Sequence, residues 1–154
     1  MIIVGFDPGT ARLGYGVIEK DHGTRLISYG TIEPSSRENR LLELSREIER
    51  VLDLHRPILI GIERLYFSKN KRTAISVAEA RGVILLAAQS RGIPVREFTP
   101  TNIKSTVTGW GKSDKETVRK CVSLTLKNAE ICGYDDAADA LAIALRASFD
   151  MIGN

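Results

Sequence analysis

Residues 2–7, IIVGFD, are apolar apart from one glycine and the closing aspartate, which predicts a short strand buried on both faces. The pattern then softens. Residues 13–19, LGYGVIE, alternate weakly and residues 25–33, RLISYGTIE, suit another strand, so two more strands are predicted after the DPGTAR turn. Three strands joined by such short links make an antiparallel meander. Beyond them the period lengthens. Leu41, Leu44, Ile48, Val51 and His55 recur three or four residues apart, the spacing of one helix face. Ser35 with Glu38 offers a capping box just upstream, and Pro57 ends the helix. ILIGIE at 58–63 predicts a fourth strand, the Ala-rich stretch over 73–91 a long helix, and IPVREF at 93–98 a fifth strand. Gly82 inside that long helix would let another helix or a second subunit approach closely. From 101 the pattern is helical, breaks at GWGK, and resumes over 114–127 behind a capping box of Ser113 and Glu116. A last helix spans 135–149.

The order is βββαβαβ followed by helices, with no internal repeat, low-complexity segment or linker. It predicts one α/β domain over residues 1–154, a five-stranded mixed sheet flanked by helices.

Three places break the apolar pattern with a carboxylate. Asp7 ends the first strand, and Glu63 ends the fourth in the same way. The carboxyl ends of strands are where open α/β sheets bind ligands. The third place is DDAADALAIAL at 135–145, where Asp136 and Asp139 share one face of a helix that is apolar nearly all round. A buried ionised carboxylate is costly unless it is paired or bound to a metal. Each has a purely structural reading. Asp7 would cap the DPGT turn, Glu63 would pair with a nearby Lys or Arg, and Asp136 would sit at a helix amino end favoured by the dipole. Asp139, among small apolar residues, fits such a reading least. Asp135 reads as the helix cap and is left out of the cluster. Taken together, four carboxylates without His or Cys make a hard-oxygen site, suited to Mg²⁺ or Mn²⁺. Such a set can hold two ions roughly 4 Å apart, the arrangement used for phosphodiester cleavage.

Composition narrows the setting. The chain carries 22 Lys+Arg against 19 Asp+Glu, a net charge of +3, which permits a nucleic-acid partner without requiring one. No apolar stretch is long enough to cross a membrane, and the amino end has neither the basic region nor the apolar length of a signal peptide. Cys121 and Cys132 lie outside any metal or redox motif, and His22 and His55 are isolated, so a cytoplasmic protein with reduced thiols is expected. The charge is locally concentrated. ERLYFSKNKR follows Glu63 directly and carries Arg64, Lys69, Lys71 and Arg72 around Tyr66 and Phe67. Positive charge binds phosphates, and an aromatic ring stacks on unpaired bases. Lys104, Lys112, Lys115, Arg119 and Lys120 form a second basic group, with Gly109 and Gly111 open to a phosphate. Both groups also read as solvated surface, and Trp110 reads equally as a core plug or an exposed contact.

These motifs resemble one known family. DPGT-x-x-x-GYG at the start, IERLYFSKN at 62–70, ARGV at 80–83 and DDAADALAIAL near the end are similar to the RuvC Holliday-junction resolvases, in the same order and over essentially the whole chain. The resemblance implies an RNase H-like fold and a homodimer that cuts four-way DNA junctions with paired symmetric nicks. It implies metal ligands at Asp7, Glu63, Asp136 and Asp139, with two Mg²⁺ per site and Mn²⁺ as a substitute. It puts lysines near the scissile phosphate at Lys104 and Lys115. The aromatic at the junction core falls on Tyr66, with Phe67 adjacent. The dimer would use the helix containing ARGV, with its small residues Ala78, Ala80 and Gly82. A RuvA–RuvB branch-migration complex is the implied partner. Two other functions stay open from the residues alone, a non-catalytic junction-binding scaffold and an RNase H-like nuclease acting on RNA or RNA–DNA hybrids. An ATP-handling fold with a similar DPG turn fits less well, since no complete G-x-x-x-x-G-K-[ST] loop is present.

Overall fold

The structure is a computed structural model that describes residues 1–65, 71–127 and 129–150, and of Lys71 and Arg72 the backbone only. Five strands form one sheet: β1 (Ile2–Pro8), β2 (Leu13–Lys20), β3 (Thr24–Ile32), β4 (Leu59–Glu63) and β5 (Val95–Phe98). Their order is β3-β2-β1-β4-β5. β2 runs antiparallel to β1 and β3, whereas β4 and β5 run parallel to β1. The expected mixed sheet is present. Parallel neighbours need a crossover, and helices α1 (Arg40–His55) and α2 (Lys71–Gln89) supply the two that the sheet requires. Helices α3 (Pro100–Thr108), α4 (Lys115–Thr125) and α5 (Asp135–Phe149) complete the order.

Several local expectations are corrected. Ser35 does not form a capping box with Glu38. α1 starts at Arg40, and Ser35 donates from its backbone N–H and its hydroxyl to Glu43, in the first helical turn, at 2.6 and 3.0 Å. The cap of α4 is Asp114, whose carboxylate accepts from the Thr117 N–H at 2.8 Å, while Ser113 is buried in the preceding turn. Asp135 is the first residue of α5 rather than its cap. Tyr134 holds the cap position, and Asp135 faces Arg119 at 3.7 Å. Among the described residues no other helix packs on Gly82, since nothing outside its own helix backbone lies within 4 Å of where its Cβ would stand.

Strand alternation divides the core. Val4, Phe6, Val17, Ile60 and Ile62 face α1 and α2, where they meet Leu44, Ile48, Leu52 and Ile84. Ile3, Ile18, Leu59 and Phe98 face the other way, against α3, α4 and α5. On this second face Gly5 pairs with Gly16 of β2 and with Gly61 of β4, so three glycines form a row across the central strands. α5 lies directly on that row. A Cβ on Gly5 would stand 2.1 Å from the Ala140 carbonyl oxygen, one on Gly14 2.0 Å from the Asp136 carbonyl oxygen, and one on Gly16 2.8 Å from the Leu141 Cα. The helix answers with its own small residues: Ala137, Ala138, Ala140, Ala142, Ala144 and Ala147 are all buried. Helix backbone therefore rests on strand backbone, and no larger residue fits between them.

Replacing Gly5 tests this contact. The obstructing atoms are helix backbone, which cannot rotate away as a side chain can, so Gly5→Ala is expected to cost about 3 kcal/mol or more in urea unfolding. Gly23, with nothing within 4 Å, is the control, and Gly23→Ala should change stability by less than about 0.5 kcal/mol. Equal unfolding midpoints for the two variants would contradict a rigid seat for α5.

Candidate active site

The same alternation aims the acidic residues. Ile3, Gly5 and Asp7 point to the α5 side of β1, and Leu59, Gly61 and Glu63 do so on β4. Phe6 pairs with Ile62 in the parallel register, so Asp7 and Glu63 follow side by side at the carboxyl ends of the two strands. Asp7 also pairs with Gly14 of β2. The close seat at Gly14 holds the first turn of α5 over that point and brings in Asp136, with Asp139 one turn further on.

The four carboxylates act on one another. The Asp7 carboxyl is pushed up to about 8, first by burial and then by Asp139, Glu63 and Asp136, with Lys115 pulling the other way. Glu63 is raised by burial and by Asp139, against the lowering pull of Lys104 and Lys115. Asp139 is raised by burial, which outweighs the Lys115 ammonium 3.4 Å from its Oδ2. That ammonium is itself held charged to higher pH, chiefly by Asp139. The structural readings of Asp7 and Glu63 fail here. Among the described residues Asp7 accepts no hydrogen bond from its turn, whose closing bond runs from the Gly9 N–H to the Arg12 carbonyl at 3.0 Å, and Glu63 has no ion pair.

Side-chain placement is looser than ligation requires. Among the described residues no three His, Cys, Asp or Glu side chains stand close enough to hold one ion as they lie. Two cations explain part of this: Lys115 draws on Asp139, and Arg12 Nε stands 3.5 Å from Asp136 Oδ2. An all-oxygen donor set in which burial and mutual repulsion hold a proton on Asp7 fits a hard divalent cation, whose charge relieves both.

The candidate basic residues distribute unevenly. Lys104 on α3 and Lys115 on α4 act electrostatically on the cluster, Lys104 through Glu63. Lys112 is exposed in the turn before α4, and Arg64 is exposed at the end of β4 with its backbone N–H on the Phe98 carbonyl at 2.8 Å. Arg119 faces away from the carboxylate cluster's centre toward Asp135 and the Ile131 carbonyl, and so braces the approach to α5. Tyr66, Phe67 and Lys69 and the side chains of Lys71 and Arg72 lie outside the described residues.

Arg12 and Tyr134 at the site, and Tyr29 beside the loop that leads into α5, carry no signal in the sequence. Arg12 places its guanidinium 3.7 Å from the centroid of the Tyr134 ring while pairing with Asp136, so it ties the DPGT turn to the start of α5. Tyr29 on β3 donates its hydroxyl to the Glu130 carbonyl and accepts from the Cys132 N–H, both at 3.1 Å. All three lack a spacing pattern that would single them out. Two clefts of about 600 and 770 Å³ open instead between β3 and α1 and at the amino ends of α1 and α2. Neither is lined by any of the four carboxylates, each of which is half-buried.

The family described as Crossover junction endodeoxyribonuclease RuvC matches residues 3–147. A protein of that name from Pseudothermotoga lettingae is 47% identical over 148 residues, covering 94% of this chain and 91% of that protein. One from Caldicellulosiruptor saccharolyticus is 43% identical over 150 residues, with 94% and 90% covered. Among solved structures, Thermus thermophilus RuvC in complex with Holliday junction substrate matches with a TM-score of 0.90 at 31% identity, covering 98% of this chain and 94% of that one. The five-stranded mixed sheet flanked by helices is thus RNase H-like.

The raised Asp7 carboxyl has a consequence for stability. Its value in the folded protein, about 8, lies above the ordinary 3.8, so the folded state binds a proton that the unfolded chain has released. Its contribution is therefore full below about pH 4 and is lost as pH rises toward 8. Asp7→Asn removes that loss. In chelator the variant should gain on the native protein across this window, by up to about 5 kcal/mol, as read from urea unfolding at a series of pH values. A stability difference that does not change with pH would contradict the burial and repulsion described above.

Proposed function

The chain belongs to the RuvC family of crossover junction endodeoxyribonucleases, and from that premise we propose that it resolves four-way DNA junctions by paired nicks in a metal-dependent hydrolysis of phosphodiester bonds. The observation that carries the reading is the convergence of Asp7, Glu63, Asp136 and Asp139 at the strand ends, each acidic group raising the proton affinity of Asp7. Those four residues would hold Mg²⁺, two ions per site, with Mn²⁺ as a substitute. Bound there, the metal supplies Lewis acidity and an activated water. The chain's own residues do the rest. Asp7 must release its proton to ligate, so metal affinity should rise with pH up to about 8. Lys115 and Lys104 bring positive charge to the same place, where they would bind the scissile phosphate and stabilise the negative charge that builds on it. Arg64, Lys112, Arg119, Lys69, Lys71 and Arg72 would hold neighbouring backbone phosphates, and Tyr66 or Phe67 would stack at the junction core.

A second copy completes the account. α2 turns Ala78 and Gly82 to the outside together with Ile75 and Leu86, the last two exposed by 62 and 65%, whereas Ala80, expected on the same face, is buried in the core. Spacings of three and four place the four exposed residues on one helix face, and among the described residues nothing outside its own helix stands over Gly82. An isologous twofold pair through this face matches the approximate twofold symmetry of a junction. Free thiols at Cys121 and Cys132 suit the reducing cytoplasm.

A labelled synthetic four-way junction, incubated with Mg²⁺ or with chelator beside a matched linear duplex, tests the reading. Paired symmetric nicks on the junction, only with metal, are expected. Asp7→Asn should keep junction affinity and lose cutting by more than about 100-fold, beyond the usual effect of groups that merely support a ligand. Binding without nicking under any divalent ion would favour the scaffold, and preferential cutting of RNA or hybrid would favour the other nuclease. For the dimer, Leu86→Glu should sediment as a monomer with its fold intact; an undisturbed dimer would move the interface off α2.

A further inference from the structure

Trp110, in the turn TGWGKSD between α3 and α4, reads from the sequence as a core plug or an exposed contact and has no part in the reaction described above. In the structure Trp110 is 64% exposed. It does not dangle. Its backbone N–H donates to the Thr108 hydroxyl at 3.2 Å, and its carbonyl accepts from the Ser113 hydroxyl at 2.9 Å, with the two hydroxyls 2.7 Å apart. Gly109 on one side takes φ +81°, the left-handed conformation that closes α3, with its N–H on the Ser105 carbonyl at 2.9 Å. Gly111 on the other side sits so close to α3 that a Cβ would stand 2.5 Å from the Thr101 methyl. The backbone is thus fixed at both ends, and it holds the largest apolar side chain of the protein out into water. Among the described residues the indole makes no hydrogen bond or ring contact.

Its surroundings indicate what covers it. Lys112 is exposed two residues on. Asp114 caps α4, whose first residue, Lys115, reaches Asp139 of the carboxylate cluster. Lys104, on the helix that the turn closes, acts on both Glu63 and Asp114. An exposed apolar ring in a turn that carries Lys112 and joins the helices of Lys104 and Lys115, the two lysines that act on the carboxylate cluster, has the character of a nucleic-acid contact, in which ammonium groups take phosphates and the ring takes a sugar or base face. We propose that Trp110 packs against a nucleotide in the arm that carries the cleaved phosphate, while Lys104, Lys112 and Lys115 hold the backbone around it. This inference rests on the junction-nuclease reading and assigns a contact that the carboxylates and the 64–72 segment do not provide.

Trp110 is the single tryptophan of the chain, so its own fluorescence reports on it. The protein is titrated with a fluorescein-labelled four-way junction in chelator. Anisotropy follows binding, while acrylamide quenching of the tryptophan is read in the free and saturated states. The indole should be open to acrylamide in the free protein and shielded in the complex. Trp110→Ala should melt as the native protein does and bind the junction roughly 10-fold more weakly, with Trp110→Phe close to native. Saturated binding with unchanged acrylamide quenching overturns the inference and leaves the junction reading standing. No binding at all overturns both. Shielding that grows with protein concentration in the absence of DNA overturns it in favour of a contact between copies.

Discussion

Everything at the site depends on how closely α5 approaches the sheet. Side chains of ordinary size keep a helix about 10 Å from a sheet. Here Gly16, Gly5 and Gly61 remove that layer, and the alanines of α5 remove its counterpart. The helix can shift neither sideways nor outward without losing contact along several turns, because Gly14, Gly5 and Gly61 touch it at Asp136, Ala140 and Ile143 in succession. Two carboxylates on its first turns are thereby fixed over two at the strand ends. The register adds the rest, since a residue two places beyond a glycine on one strand face must point to the same helix.

Such a contact is apolar and dense, and the charge it collects opposes it. Asp7, Glu63 and Asp139 are all raised by burial before any neighbour acts. Fold and site therefore pull in opposite directions, and the tight seat of α5 is what lets the acidic cluster persist. Arg12 and Lys115 each offset one carboxylate, at 3.5 and 3.4 Å. Lys115 also pulls on Asp7, but too weakly to offset burial and the three neighbouring carboxylates, and Asp7 stays raised to about 8. A divalent cation placed among the four would offset what these two leave.

Much of this was readable in the chain. The element order follows from periodicity, and the two apolar runs that end in Asp7 and Glu63 mark the strand ends on which the site stands. Asp139 among alanines marks the helix. The glycine row was not readable, because β1 and β4 are apolar on both faces and period-two alternation is invisible when both sides are buried. The same feature hid the fact that Asp7 and Glu63 share a face. Caps failed by one residue at α4 and α5, where Ser113 and Asp135 are adjacent to the residues that hold those positions. Arg12 and Tyr134 meet only through the fold, and Trp110 could not be placed until the hydrogen bonds of its turn were known.

The rigid seat of α5 concentrates negative charge that a divalent cation would relieve. Melting temperature against Mg²⁺ concentration, above about pH 8 where Asp7 is ionised, measures this without DNA or catalysis. A ligand that binds only the folded state raises stability with the logarithm of its concentration once past its dissociation constant. The account predicts such a rise for the native protein and its loss in Asp7→Asn. A melting temperature of the native protein that ignores Mg²⁺ would contradict it.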